Sequence, residues 1–396
     1  MEASFVVQRY GPEVVGGAES ACRELALRLA ATGAGVTVLT TCATDAATWA
    51  NRLPPGESAD GPVAVLRFPT AAERDPGFEQ LSRRLFAHED PPRSLQQRWV
   101  RAQGPFAPGL VEEIRSRAGE PDVWVFYTYL YHPTLAGLPL VAARAVLHPA
   151  LHEEAPARLP LVAEVVRSAA ALSVQTPEEW ELVLRTVGWP PSKLRMIGMG
   201  VQEGEGDVEA FRRRAGLDGE PYLLSLGRVG EGKGTDRLAR MFAAFKRRHP
   251  GPLKLVLAGP VVQAPPEADG VVVTGVLSDA ERWGALRGCC AFVHPSPLES
   301  FAIVLIEAWM CSKPALVNGW CRVTSGHARR ARAGLEYRDY AEFEAALEVL
   351  LGDPRGATAI GANGLRYAER YRWEPVIARY RSLLEEVAAG AVRPGA

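Results

Sequence analysis

Short apolar runs recur along the chain, and between them apolar residues return every three or four positions, the signatures of buried strands and of helices lying on a sheet. Residues 4–7 read as a buried strand, followed by a loop that ends in Gly16 and Gly17. Ala18, Cys22, Leu25 and Leu29 then share one face of a helix predicted over 18–31, which Gly33 and Gly35 stop, and residues 36–41 return as a strand. Such a β-α-β unit needs a right-handed crossover and a sheet covered on both faces, so the first half of the chain is expected to be an open parallel sheet. Further strands are predicted over 63–68, 123–127, 145–151 and 172–175, whereas the rest of 43–108, rich in Pro, Arg and Trp, reads as long loops with a helix or two. The pattern then restarts: apolar runs at 222–226, 253–258, 271–274, 291–294 and 315–317 predict a second parallel sheet. Residues 198–219, with their Gly, Glu and Asp, read as the linker between the halves, and helices near 340–351, 354–371 and 375–389 add no strand and must pack outside.

Composition narrows the class. A chain of 396 residues, 47% hydrophobic and 23% charged, suits two α/β domains better than one. With 45 Lys plus Arg against 46 Asp plus Glu, no overall field draws it to nucleic acid or to an anionic membrane, and peripheral membrane contact is left open as a local matter. No run approaches the roughly 18 apolar residues of a membrane span, and no leader pattern opens the chain, so a cytoplasmic protein is expected. Cys22, Cys42, Cys289, Cys290, Cys311 and Cys321 form no C-x-x-C pair and have no zinc-type His spacing, and no D-x-D tripeptide offers carboxylates for a divalent ion. The expected chemistry therefore uses no metal and no cofactor.

Two constellations carry chemistry. Gly227-Arg228-Val229-Gly230-Glu231-Gly232-Lys233-Gly234-Thr235 lies between a predicted strand and helix, where amides freed by glycine, a helix N-terminus and two cations suit a phosphate. It misses the phosphate loop of nucleotide hydrolases by one residue, because Gly234 stands where the magnesium-binding hydroxyl belongs. The second constellation runs from Glu299 through Ser300, Phe301 and Ala302 to Glu307, the last acid set among Ile, Val, Leu, Ala and Trp, where an unpaired carboxylate is costly. If a helix starts near Phe301, the two acids stand roughly 12 Å apart, about the span from a hexose to the ribose across a diphosphate. The amides at 300–302 would then meet the phosphate. A capping role for Glu299 and a buried ion pair for Glu307 are the structural alternatives.

Taken in order, these residues resemble the retaining GT-B glycosyltransferases of family 4, the glycogen-synthase-like group. Glu299 and Glu307 match the E-x7-E signature, Arg228 and Lys233 the diphosphate pair in G-R-x4-K-G, and Gly16-Gly17-Ala18-Glu19 the N-terminal glycine loop. The resemblance implies two Rossmann-like domains with parallel sheets facing across a cleft. The acceptor-binding domain would take 1–200 with a C-terminal helix of about 375–396 packed back on it, and the donor-binding domain 201–374. It further implies that Glu307 holds the donor ribose, Glu299 the transferred sugar, Arg228 and Lys233 the diphosphate, and Gly16 and Gly17 a phosphate from the N-terminal side. His152, followed by Glu153, best matches a histidine that family members place beside the sugar, with His148 competing. The implied partners are a nucleotide-sugar donor and a saccharide, lipid-linked or small-molecule acceptor, which the region holding Trp49, Asn51, Arg52, Arg83, Arg84, Trp99 and Arg101 would meet unless those residues only solvate and anchor loops. The chain departs from the pattern at 198–202 and at Asn318-Gly319-Trp320, where a glycine pair is usual. A sugar-nucleotide epimerase of related fold and a non-catalytic nucleotide-sugar binder are the rival classes.

Overall fold

The computed structural model describes residues 1–14, 16–188 and 190–390. The chain divides into two compact units, Met1–Gly200 with the segment from Val376 onward, and Val201–Pro375.

Among the described residues, the first unit holds an eight-stranded sheet: β1 (Glu2–Val6), β2 (Gly35–Thr41), β3 (Gly56–Asp60), β4 (Val63–Phe68), β5 (Val123–Tyr127), β6 (Ala145–His148), β7 (Ala171–Val174) and β8 (Leu194–Met196), in the order β3-β4-β2-β1-β5-β6-β7-β8. Central strands are covered on both faces, and all five residues of β5 are buried. Around the sheet lie α1 (Gly17–Ala31), α2 (Phe78–Phe86), α3 (Arg93–Gln103), α4 (Pro108–Ser116), α5 (His132–Gly137), α6 (Pro160–Ser168) and α7 (Pro177–Val187). Three expectations need correcting. The sheet is not wholly parallel, since β3 pairs antiparallel with β4 at the edge; its sequence Gly-Glu-Ser-Ala-Asp is exposed and carries no apolar signal. β8 is a further edge strand that was not anticipated. β6 stops at His148 rather than 151, as Ala150 takes a left-handed φ of 49°.

The second unit holds β9 (Tyr222–Leu226), β10 (Lys254–Ala258), β11 (Val271–Gly275), β12 (Ala291–His294), β13 (Ala315–Asn318) and β14 (Gly334–Tyr337), parallel throughout in the order β11-β10-β9-β12-β13-β14. Its helices are α8 (Val208–Ala215), α9 (Thr235–Arg248), α10 (Asp279–Gly288), α11 (Ile303–Met310), α12 (Arg322–Ala331), α13 (Tyr340–Gly352) and α14 (Pro354–Ala368). Strand order reverses between β9 and β12, and ligands of open α/β sheets bind beyond the carboxyl ends of the strands at such a point. The loops that follow those two strands carry both constellations. The predicted linker 198–219 is partly structural: Asp207 caps α8 by accepting the Ala210 N–H at 2.8 Å, and Phe211 is buried against Tyr222. β14 was likewise unanticipated, because Gly-Leu-Glu-Tyr is a short, half-buried edge.

The last helix, α15 (Trp373–Ala388), joins the first unit from Val376 on. Tyr380, Leu383, Leu384 and Val387 are buried along one side, and the Tyr380 hydroxyl lies 2.8 Å from His148 Nε2. The predicted helix reaches beyond this, and residues 391–396 lie outside the described residues. Among the described residues no helix is long and apolar enough to cross a membrane.

Candidate functional site

In the second unit the β9–α9 loop is shaped by two close approaches. A side chain on Gly259 would meet the Gly227 carbonyl at 2.1 Å, and one on Gly234, which has φ of 72°, would meet the Pro295 carbonyl at 2.6 Å. Gly234 thus brings the start of α9 against the loop that follows β12. Thr235 is not poised for a metal: its hydroxyl accepts the Gly230 N–H at 2.8 Å and donates to the Gly230 carbonyl at 3.2 Å, closing the turn on itself. Arg228 is exposed and, among the described residues, has no ion-pair partner. Lys233 projects to Glu299, with Nζ 2.5 Å from Oε1.

Glu299 sits in the β12–α11 loop. The helix begins at Ile303, two residues later than expected, because Ala302 adopts a left-handed φ of 64°. A buried alanine in that conformation stores strain at the position where the phosphate-facing amides were expected. Ser300, Phe301 and Ala302 therefore precede the helix, and the straight-helix span between the two acids does not hold. The Phe301 ring packs edge-on against Tyr371 and His327, leaving only its backbone for a ligand. Behind Glu299, His294 is buried with Nε2 3.8 Å from Oε1, and its Nδ1 has no hydrogen-bond partner among the described residues. Burial alone would raise the Glu299 carboxyl, yet His294 and Lys233 hold it below the ordinary carboxylate range. Burial lowers His294, and the neighbouring Glu299 carboxylate opposes that shift.

Glu307 is 6% exposed on α11. Its Oε1 accepts from Arg282 Nη1 at 2.5 Å, and its Oε2 is buried with no partner among the described residues. Arg282 rises from α10, whose start is fixed by a reciprocal cap between Ser278 and Glu281, and its guanidinium lies 5.1 Å from the Trp283 ring centroid. Neither Arg282 nor His294 was identified from sequence. His294 left a weak signal, a polar residue closing an apolar strand; Arg282 left none. Beside the site, Asn318 donates to the Pro295 carbonyl at 2.9 Å and accepts from the Trp320 N–H, so the unusual Asn-Gly-Trp segment is tied to the same loop. Among the described residues no group of three or more His, Cys, Asp or Glu side chains could hold a metal ion.

Gly16, Gly17 and His152 belong to the first unit. Gly16 caps α1 and lies against Glu19, whose buried carboxylate accepts from Gln8 Nε2 at 2.8 Å and Arg9 Nε at 3.0 Å. A side chain added at Gly17 would meet open space. His152 is half-buried in the loop after β6, and its neighbour Glu153 pairs with Arg185 at 3.2 Å. His148, the competing residue, is stacked between Tyr127 and Tyr380 in the interior and belongs to the core. Glu179 holds the His152 loop from beneath, accepting the Leu151 and Gln175 N–H groups at 2.8 and 2.7 Å.

Burial raises the Glu179 carboxyl from 4.5 to about 7 despite those bonds. The folded chain keeps this proton where the unfolded chain has lost it, so the folded state loses relative stability as pH rises through that window, by up to about 3 kcal/mol. Urea titrations of the protein and of Glu179→Gln between about pH 5 and pH 8 check this: the stability difference between the two should narrow or reverse toward high pH.

Two family models tile the chain. Glycosyl transferase 4-like domain matches residues 16–200, and Glycosyl transferases group 1 matches residues 207–365. The D-inositol 3-phosphate glycosyltransferase of Kribbella flavida is 29% identical over 266 residues, covering 60% of this chain and 62% of that protein, less than two thirds of its length. D-inositol 3-phosphate glycosyltransferase 1 of Catenulispora acidiphila is 27% identical over 409 residues, covering 91% and 90%. Among solved structures, sucrose-phosphate synthase from Thermosynechococcus elongatus superposes with a TM-score of 0.73 at 19% identity over 98% of this chain and 99% of that one. Anabaena HepE in complex with UDP and glucose superposes with a TM-score of 0.66 at 16% identity over 98% and 100%. With two Rossmann-like units, the ordered motifs in place and both halves matched by family models, the chain belongs to the group 1 glycosyl transferases, the family 4 type with the GT-B fold.

Proposed function

We propose that the protein transfers a sugar from a nucleoside-diphosphate sugar to a hydroxyl acceptor, with retention at the anomeric carbon and without a metal. The observation that carries this is one loop and helix bearing two acids, Glu299 half-buried and Glu307 buried, each held by a cation: Glu299 by Lys233 and Glu307 by Arg282. Lys233 and Arg228 take the charge of the leaving diphosphate, aided by the amides of 300–302; preorganised charge of this kind is commonly the largest catalytic contribution. The bond from the anomeric carbon to the phosphate oxygen breaks, the acceptor oxygen bonds to that carbon on the same face, and its proton leaves with the departing phosphate. The roles that the family pattern implies for Gly16, Gly17 and His152 are proposed along with it. UDP in the Anabaena structures and inositol 3-phosphate in the names of the relatives give the first donor base and acceptor to try.

The test is incubation with UDP-, GDP-, ADP- and dTDP-sugars in chelator without acceptor, following release of nucleotide and free sugar, beside Glu307→Ala. One donor should be hydrolysed slowly, and its affinity should fall at least tenfold in the variant. Silence across the panel with no binding by calorimetry would refute the donor assignment. An inverted product with a competent acceptor would refute retention, and activity only on adding a divalent ion would refute metal independence.

A further inference from the structure

We propose that Arg282 is a positioning residue for Glu307, saturating one carboxylate oxygen so that the other is left as an acceptor for the 2′,3′-diol of the nucleotide ribose. This rests on the donor reading above and assigns a role to a residue outside every motif of the sequence. Three observations support it. The carboxylate is asymmetric: Oε1 takes Arg282 Nη1 at 2.5 Å, while Oε2 is buried with no hydrogen bond among the described residues. A buried acceptor without a partner is costly, and a ligand hydroxyl would satisfy it. Arg282 is itself anchored: its Nη2 reaches Asp279 Oδ1 at 3.3 Å, its guanidinium lies over Trp283, and its helix start is capped. The arginine fork therefore sets the direction of the carboxylate as well as its charge.

Loss of the guanidinium has a second consequence. Burial pushes the Glu307 carboxyl up, and Arg282 is the group that opposes it. Among the described residues, the charges bearing on Glu307 are Arg282 and Asp279, both on α10, and Asp279 acts in the same direction as burial. Of the other elements packed on α11, β12 carries His294 and α14 carries Arg355 and Arg366, and none of these is among the charges that act on Glu307. Without Arg282 the acid takes up a proton and the lone acceptor is lost until the pH is high enough to remove it.

Calorimetry with UDP, GDP and ADP and their 2′-deoxy counterparts, between about pH 6 and pH 9, tests the assignment on the full chain. The protein should prefer the ribose form of its nucleotide by about tenfold with little pH dependence. In Arg282→Met the preference should collapse toward one near neutrality and return as pH rises, and Arg282→Lys, which keeps the charge without the fork, should fall between. The ratio of two affinities does not depend on the fraction of variant that folds. Wild-type discrimination and a flat pH profile in Arg282→Met, with discrimination lost in Glu307→Gln, would overturn the role of Arg282 and leave the donor reading intact. No binding of any nucleoside diphosphate by the unaltered protein would remove both.

Discussion

Glu299→Gln is expected to lower turnover by roughly 10²- to 10³-fold while leaving affinity for the free nucleoside diphosphate unchanged or severalfold better. The two effects separate because of one contact. Lys233 Nζ rests on Glu299 Oε1 at 2.5 Å, with the two side chains 30% and 16% exposed, so an incoming diphosphate competes with Glu299 for the ammonium. An amide at 299 releases the lysine to the phosphate but removes the charge that would face the transferred sugar. Lys233→Met, by contrast, should weaken both nucleotide binding and turnover. Initial rates with the donor found by the panel, set beside calorimetric titration with its nucleoside diphosphate, resolve the pattern. Parallel loss of nucleotide affinity in Glu299→Gln and Lys233→Met would show that the acid serves the phosphate end, and the division of labour between the two residues would fail.

Tyr380→Ala should destabilise the first unit by about 3–5 kcal/mol, the usual cost of deleting a large buried ring. Tyr380 is fully buried, stacks on His148 at 5.1 Å between centroids and shares a 2.8 Å hydrogen bond with its Nε2. Burial lowers His148 to about 3, so the ring is neutral and needs this partner as a neutral group. Tyr380→Phe keeps the packing but strands the imidazole nitrogen, at a cost of about 1–3 kcal/mol. Urea unfolding followed by probes placed in each unit should show the transition of the first unit moving and that of the second holding still. Equal shifts in both would mean that the units melt as one cooperative body.

What the sequence made legible follows from burial. Strands covered on both faces, such as Val-Trp-Val-Phe-Tyr at 123–127, write themselves as unbroken apolar runs, and the helix faces around them show in three- and four-residue spacing. Edges do not: Gly56–Asp60 is polar because it faces solvent, Leu194–Met196 is too short to pattern, and Gly334–Tyr337 has a single buried residue. The 198–219 stretch has the pattern of a linker because glycine and acids surround α8, although Phe211 ties it to the sheet. At the candidate site, Arg228, Lys233, Glu299 and Glu307 were visible because glycine turns and misplaced acids are local signals. Arg282 and His294 were not, since what marks them is contact with an acid reached only after folding, 25 residues away in the first case. The late helix start also escaped, because the left-handed turn falls on alanine, a residue that gives no warning of it.

The last described helix, α15, belongs to the first unit from Val376, and the ends of the second are stitched together where the Val201 N–H donates to the Tyr371 carbonyl at 2.7 Å. The second unit is thus an uninterrupted stretch set within a split one. On the ribosome, its residues are all made before Tyr380 exists to meet His148. The half begun first is then the half finished last, reversing the usual N-terminal-first order of domain folding. A nascent chain arrested just past Pro375 would carry a whole second unit and an unsealed first one, its buried His148 still waiting for a partner.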